Sequence, residues 1–263
     1  MEPLGGRYGR ANNEFPRPGD AWQEFGTLLV LTSQNRPSSS ASKPLALVVF
    51  LENVGHIQGV PLPGAITQAI DFVTEEYAKL LLRFYGAYRR YDKVIILEDE
   101  RATGPELVDA LTQASRDHTV DLLLLVHGRP GALVGCRAEV DVGPETFQPL
   151  VAAYRKDPTL VDLRMVFGLN CYGASLAPVW LALGAEAVNG AVGVNWLPEP
   201  SLSVFLYNWL RGRPFSEALQ RSHRVALRWG TRLWAADSAG QDHPKIAGSR
   251  QAIFGVRDIT IHS

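Results

Sequence analysis

Residues 120–128 read Val120-Asp-Leu-Leu-Leu-Leu-Val126-His127-Gly128, a short, nearly unbroken apolar run closed by a histidine and a glycine. A run of this length predicts a strand buried on both faces of a parallel sheet, with His127-Gly128 ending it. The same design returns at Leu163-Arg-Met-Val-Phe-Gly168, followed by Leu169-Asn170-Cys171-Tyr172-Gly173. Two central strands therefore each deliver a reactive side chain beside a glycine.

Working outward, Ala132–Val142 predicts a hairpin and Pro144–Tyr154 a helix, so one helical crossover separates the two strands. Upstream, a helix opens at Thr103-Gly-Pro105-Glu106, with Pro in the first turn where its missing N–H costs nothing. Before it lie the strand Lys93–Leu97, a long helix over Ile66–Arg90, and the strands Leu45–Leu51 and Thr27–Leu31. Downstream, a helix starts near Ser175 with Pro178 in its first turn, followed by a strand over Glu186–Val194. Helices over Glu199–Leu210 and Pro214–Trp234 come next, and Ala252–Ile261 is an edge strand. Strands alternating with helices imply an α/β fold with a mostly parallel central sheet covered by helices on both faces. Residues 1–24 and the linker Ser33–Pro44 are rich in Gly, Pro, Ser, Arg and Asn and read as flexible, leaving 25–263 as a single domain.

Composition narrows the function. With 46% hydrophobic and 20% charged residues in 263, the chain is an ordinary globular sequence. Its formal net charge of -1 gives no global pull toward nucleic acid, and no apolar stretch is long enough for a spanning helix. The N-terminus has no apolar core of a signal peptide, so the chain reads as cytoplasmic with no membrane partner. Two cysteines, Cys136 and Cys171, indicate neither a disulfide framework nor a zinc site, and no metal or cofactor motif such as GxGxxG, a P-loop or HExxH is present.

The chemistry concentrates where central strands end, since ligands of open α/β sheets bind past the carboxyl ends of the strands. His127 and Cys171 are 44 positions apart, yet on neighbouring strands they would face each other as a thiol and its base. Singly, each has a plain structural explanation: a small core residue and a loop histidine. Glycine beside each lets backbone N–H groups approach a ligand, and the N–H groups of Gly128 and Cys171 are the natural oxyanion donors. A helix N-terminus after Cys171 is expected to lower the thiol pKa from ~8.5.

The order strand, His-Gly, helix, strand, x-x-Cys, helix resembles the caspase-fold cysteine peptidases, and within them the CHAT domains, which are common in bacteria. Leu97-Glu-Asp-Glu-Arg-Ala-Thr-Gly-Pro-Glu-Leu107, Gly184-Ala-Glu-Ala-Val-Asn-Gly-Ala-Val-Gly-Val-Asn-Trp196 and Gly212-Arg-Pro-Phe-Ser-Glu-Ala-Leu219 carry the likeness over roughly Leu45–Trp229. It implies a caspase-like three-layer sandwich and a protein substrate cleaved by a Cys171/His127 dyad. In this fold the residue two before the nucleophile lines the pocket for the P1 side chain; Leu169 there implies an apolar or uncharged P1. The strand-end loop Glu52-Asn53-Val-Gly-His56 also supplies P1 contacts, and Glu52 implies the opposite. Asn195 and Trp196 are expected to hold substrate backbone and a neighbouring side chain, with Asn170 completing the set. The chain departs from CHAT domains in having Leu169-Asn170 before the Cys and Tyr172 after it. Because the fold holds its His without a carboxylate, Asp121, Asp141 and Asp162 read as strand-flanking surface acids.

Two other functions compete. An α/β-hydrolase with a Cys nucleophile would take its base late in the chain, from His223, His243 or His262, but Leu169 is too large for a nucleophile elbow. A caspase-like interaction module would have lost its dyad, whereas both members are present. Finally, Arg221, Arg224, Arg228 and Arg232 form one helical stripe beside Leu219, Val225, Ala226, Trp229 and Leu233, either a solvated face or a dock for an acidic regulatory protein.

Overall fold

Strand β1 (Leu45–Glu52) is buried along nearly its whole length, and its alternation sorts the core into two halves. Ala46, Val48 and Phe50 face one hydrophobic cluster, while Leu47, Val49 and Leu51 face the other. The computed structural model describes residues 43–52, 76–136, 140–236, 240–255 and 257–263. The expected strand Thr27–Leu31, segment 1–24, most of the Ser33–Pro44 linker, Asn53 and residues 66–75 of the long helix lie outside the described residues.

Next come helical residues 76–85, α1 (Ala87–Arg90), β2 (Lys93–Leu97), α2 (Gly104–Ser115) and β3 (Thr119–Arg129). A left-handed Gly86, with φ of 84°, interrupts the helical stretch expected to be continuous. Thr103 caps α2 by accepting a hydrogen bond from Glu106 N–H, with Pro105 in the first turn as its sequence implies. The hairpin strands β4 (Ala132–Val134) and β5 (Asp141–Val142) lead to α3 (Pro144–Lys156) and β6 (Leu163–Gly168). Then α4 (Ala177–Ala182), β7 (Ala187–Ala191), α5 (Pro198–Trp209), α6 (Phe215–Leu233), α7 (Pro244–Gly248) and β8 (Gln251–Gly255) complete the chain.

The sheet order is β2-β1-β3-β6-β7-β8, with the first five parallel and β8 antiparallel on β7. One face carries α2, α3 and α4, where Phe147 and Trp180 pack edge to face at 4.9 Å. The other carries residues 76–85, α5 and α6, where Phe167 stacks on Phe205 at 3.7 Å. Three layers follow directly from strands apolar on both faces.

One expectation fails in an informative way. Asp121 is not a surface acid but is fully buried in β3, paired with buried Arg164 of β6 through Nε to Oδ1 at 3.0 Å and Nη2 to Oδ2 at 2.7 Å. Tyr91 O–H donates to Asp121 Oδ2 at 2.8 Å, and Trp209 Nε1–H donates to Tyr91. Arg164 Nη1 also donates to Thr260 O and Ser263 O, tying the last residues to the sheet. Burial and the Asp121 charge push the Tyr91 hydroxyl well up. The other two acids behave as read: Asp141 is exposed against Arg129, and Asp162 lies at the rim against Lys43.

Candidate functional site

At its carboxyl end β3 outruns its neighbour β1, whose last pairing is Glu52 with Val126. His127-Gly128 therefore does not end the strand. Residues 127–129 bend into an antiparallel pairing with β4, His127 opposite Val134 and Gly128 opposite Leu133. The turn between them uses Gly131 at φ 79°.

β6 lies alongside, with Leu124 paired to Gly168 and Leu169 N–H donating to Leu124 O. Three residues beyond that pair on each strand stand His127 and Cys171. The backbones meet so closely that a Cβ on Gly128 would lie 2.2 Å from Cys171 O. This is the physical reason for the glycine. Behind Cys171, Gly190 of β7 admits the chain in the same way, since a Cβ there would strike Gly173 and Ala174 at 2.2 Å. Buried Asn189 clips both backbone groups of Gly168, its Oδ1 accepting from N–H and its Nδ2 donating to O, each at 3.0 Å. Tyr172 takes a left-handed conformation at φ 56°, turning the chain sharply after Cys171.

The backbone N–H of Asn195 donates to Cys171 Sγ at 3.3 Å, and the backbone N–H groups of Gly128 and of Cys171 itself also favour the thiolate. Burial pushes the thiol up, and these three donors pull against it. The expected lowering by a helix N-terminus is thus not found. A 3-10 turn over Gly173–Leu176 follows Cys171, and α4 begins at Ala177 rather than near Ser175.

The remaining described residues of the expected substrate set surround the ends of β1 and β6. Leu169 is 6% exposed and packs in the core with Phe167. Asn170 is buried, with Nδ2 facing Cys171 O at 3.5 Å. Glu52 is buried at the end of β1, and Asn53 lies outside the described residues. Asn195 stands at the thiol, while Trp196 is 42% exposed beside it, its N–H donating to Ser249 Oγ and its ring lying 4.5 Å from Lys245 Nζ. Ser249 and Lys245 escape a motif reading because they arrive from the segment after α6, far away in sequence. Among the described residues no cluster of three or more His, Cys, Asp and Glu side chains gathers as for a metal. Nor is any described helix long and apolar enough to cross a membrane.

The arginine stripe is solvent-facing, with Arg221 held by Glu217 at 2.8 Å and Arg224, Arg228 and Arg232 exposed. Its apolar companions divide: Leu219 and Ala226 are buried, but Trp229 and Leu233 are 54% and 64% exposed, because the buried stripe of α6 runs through Phe215, Ala218, Leu219, Ser222, Ala226 and Gly230.

No family model and no curated protein matches the chain. Solved structures do. The Arg-specific cysteine proteinase gingipain R superposes with a TM-score of 0.55 at 14% identity, covering 89% of this chain and 52% of that one. The complex of RgpB pro- and mature domains from Porphyromonas gingivalis gives 0.52 at 14%, covering 88% and 51%. The chain thus spans about half the length of these neighbours. Identity this low speaks to architecture alone, and the architecture it identifies is the caspase-like α/β fold with a mostly parallel sheet between helical layers, which displaces the α/β-hydrolase expectation.

Proposed function

We propose that the chain is a cysteine endopeptidase of the CHAT type, cleaving protein substrates with Cys171 as nucleophile and His127 as base. The observation that carries this reading is the closeness of the two strand ends: His127 and Cys171 each stand three residues beyond the paired Leu124 and Gly168, and a Cβ on Gly128 would lie 2.2 Å from Cys171 O. A thiol pushed up by burial rests protonated at neutral pH, so attack on the scissile carbonyl is coupled to proton transfer from Sγ to His127. The C–S bond forms as the carbonyl oxygen becomes an oxyanion, accepting from the N–H groups of Gly128 and Cys171. Collapse breaks the C–N bond, His127 returns its proton to the leaving amine, and water hydrolyses the thioester to a carboxylate and a free thiol. N-terminal sequencing of fragments from candidate protein substrates tests the reading: new termini appear with the wild type and not with Cys171→Ala, and identical fragments from both would reject it.

Leu169, 6% exposed two residues before Cys171, offers little surface of its own to a P1 side chain. Glu52, the buried acid at the end of β1, then favours Arg or Lys, in keeping with the Arg specificity of gingipain R. Glu52→Gln is expected to lower kcat/KM for an Arg-P1 peptide by about tenfold or more, corresponding to loss of a charged contact. A fluorogenic peptide library dominated by uncharged P1 residues would sink this assignment. The exposed Arg224, Arg228 and Arg232 fit a dock for an acidic regulatory protein. Arg224→Glu with Arg228→Glu should then abolish regulation of a partner-dependent preparation and leave unregulated peptide cleavage intact; regulation that survives removes the dock.

A further inference from the structure

Asn195 is where the loop after β7 meets the nucleophile. Its backbone N–H donates to Cys171 Sγ at 3.3 Å. Its carboxamide makes two more bonds: Nδ2 donates to Leu169 O at 2.8 Å, and Oδ1 accepts from Leu197 N–H at 3.1 Å. The first fastens residue 195 to the end of β6, two positions before Cys171. The second closes an Asx-type turn that sends the chain toward α5.

Other bonds of this loop anchor it elsewhere. Val192 and Gly193 N–H donate to Arg250 O and Gly248 O, Trp196 N–H donates to Ser249 Oγ, and Gly193 O accepts from Tyr172 N–H. These fix the flanks of the loop. At residue 195 itself, the tie to the end of β6 is made by its own side chain.

Resting on the reading of Cys171 as nucleophile, we propose that Asn195 is a positioning residue: its carboxamide locks the loop onto the end of β6 and so holds its backbone N–H on Sγ. A hydrogen bond to a charged acceptor is about twice as strong as one to a neutral acceptor, so this donor favours the thiolate over the thiol. It also divides the labour of the site. When substrate arrives, the N–H groups of Gly128 and Cys171 turn to the oxyanion, and the N–H of Asn195, on a separate segment, stays with the sulfur.

The test uses the full chain carrying Cys136→Ser, which leaves Cys171 as the sole thiol. Iodoacetamide alkylation is followed across the thiol's titration range, with and without Asn195→Ala. The variant keeps the backbone N–H and loses its tether; the alkylation midpoint is expected to rise by about half to one unit, making the reaction roughly 3- to 10-fold slower at neutral pH. An unchanged midpoint in a folded variant overturns the proposal. Should Asn195→Ala fail to fold, the parent decides by NMR: the Asn195 amide shift follows Cys171 ionisation if the proposal holds, and an amide indifferent to that titration rejects it. His127→Ala in the same background separates the two claims, because a thiol whose reactivity ignores His127 counts against the peptidase reading and not against the tether.

Discussion

Cys171→Ala and His127→Ala are each expected to lower kcat/KM for peptide cleavage by about 10⁴-fold or more, and the double variant scarcely further. A nucleophile and its base act as one unit, so losing either removes the covalent route, and the losses do not add. A 10⁴-fold fall corresponds to about 5 kcal/mol of transition-state stabilisation. This is more than one oxyanion donor supplies, and it separates the dyad from residues that only shape the cleft. The assay is initial-rate kinetics on a fluorogenic peptide, with circular dichroism showing both variants folded. Retention of more than about a hundredth of the activity in either would be incompatible with a covalent dyad, since residual electrostatic catalysis accounts for far less.

The second large effect is on stability and lies at the opposite ends of the same two strands. Arg164→Met leaves Asp121, fully buried, without its bidentate partner, and frees the carbonyls of Thr260 and Ser263. Breaking one side of a buried pair costs about 3–5 kcal/mol, because the remaining charge cannot return to water. In a domain of this size the melting temperature should fall by on the order of 10 °C. Asp121→Leu combined with Arg164→Met and Tyr91→Phe should recover most of that loss, since the apolar side chains leave neither a buried charge nor the Tyr91 O–H without its acceptor. Thermal unfolding of the single and triple variants measures both; a triple variant as unstable as the single one would show that the stability comes from the carbonyl contacts of Arg164 rather than from the pair.

Much of the fold was legible because its signal is local. Leu45–Leu51, Lys93–Leu97 and Leu163–Gly168 are short, mainly apolar runs, and the structure places strands there nearly residue for residue. The end of β3 was misread for a non-local reason: Gly128 looks like a stop, but β4 offers it a partner. Asp121 was misread likewise, since nothing beside it in sequence announces Arg164, Tyr91 and Trp209. At the site, the placing of Cys171 and His127 past the ends of adjacent strands could be read from the order of strands and helices. The direction of the thiol pKa could not, because burial outweighs local chain geometry there.

The most direct measurement is covalent trapping with a peptidyl acyloxymethyl ketone, followed by peptide mapping in a mass spectrometer. The dyad predicts a single adduct on Cys171, none on the other thiol, Cys136, and loss of the adduct in His127→Ala. Equal labelling of both cysteines, or labelling of Cys171 that is indifferent to His127, would contradict it.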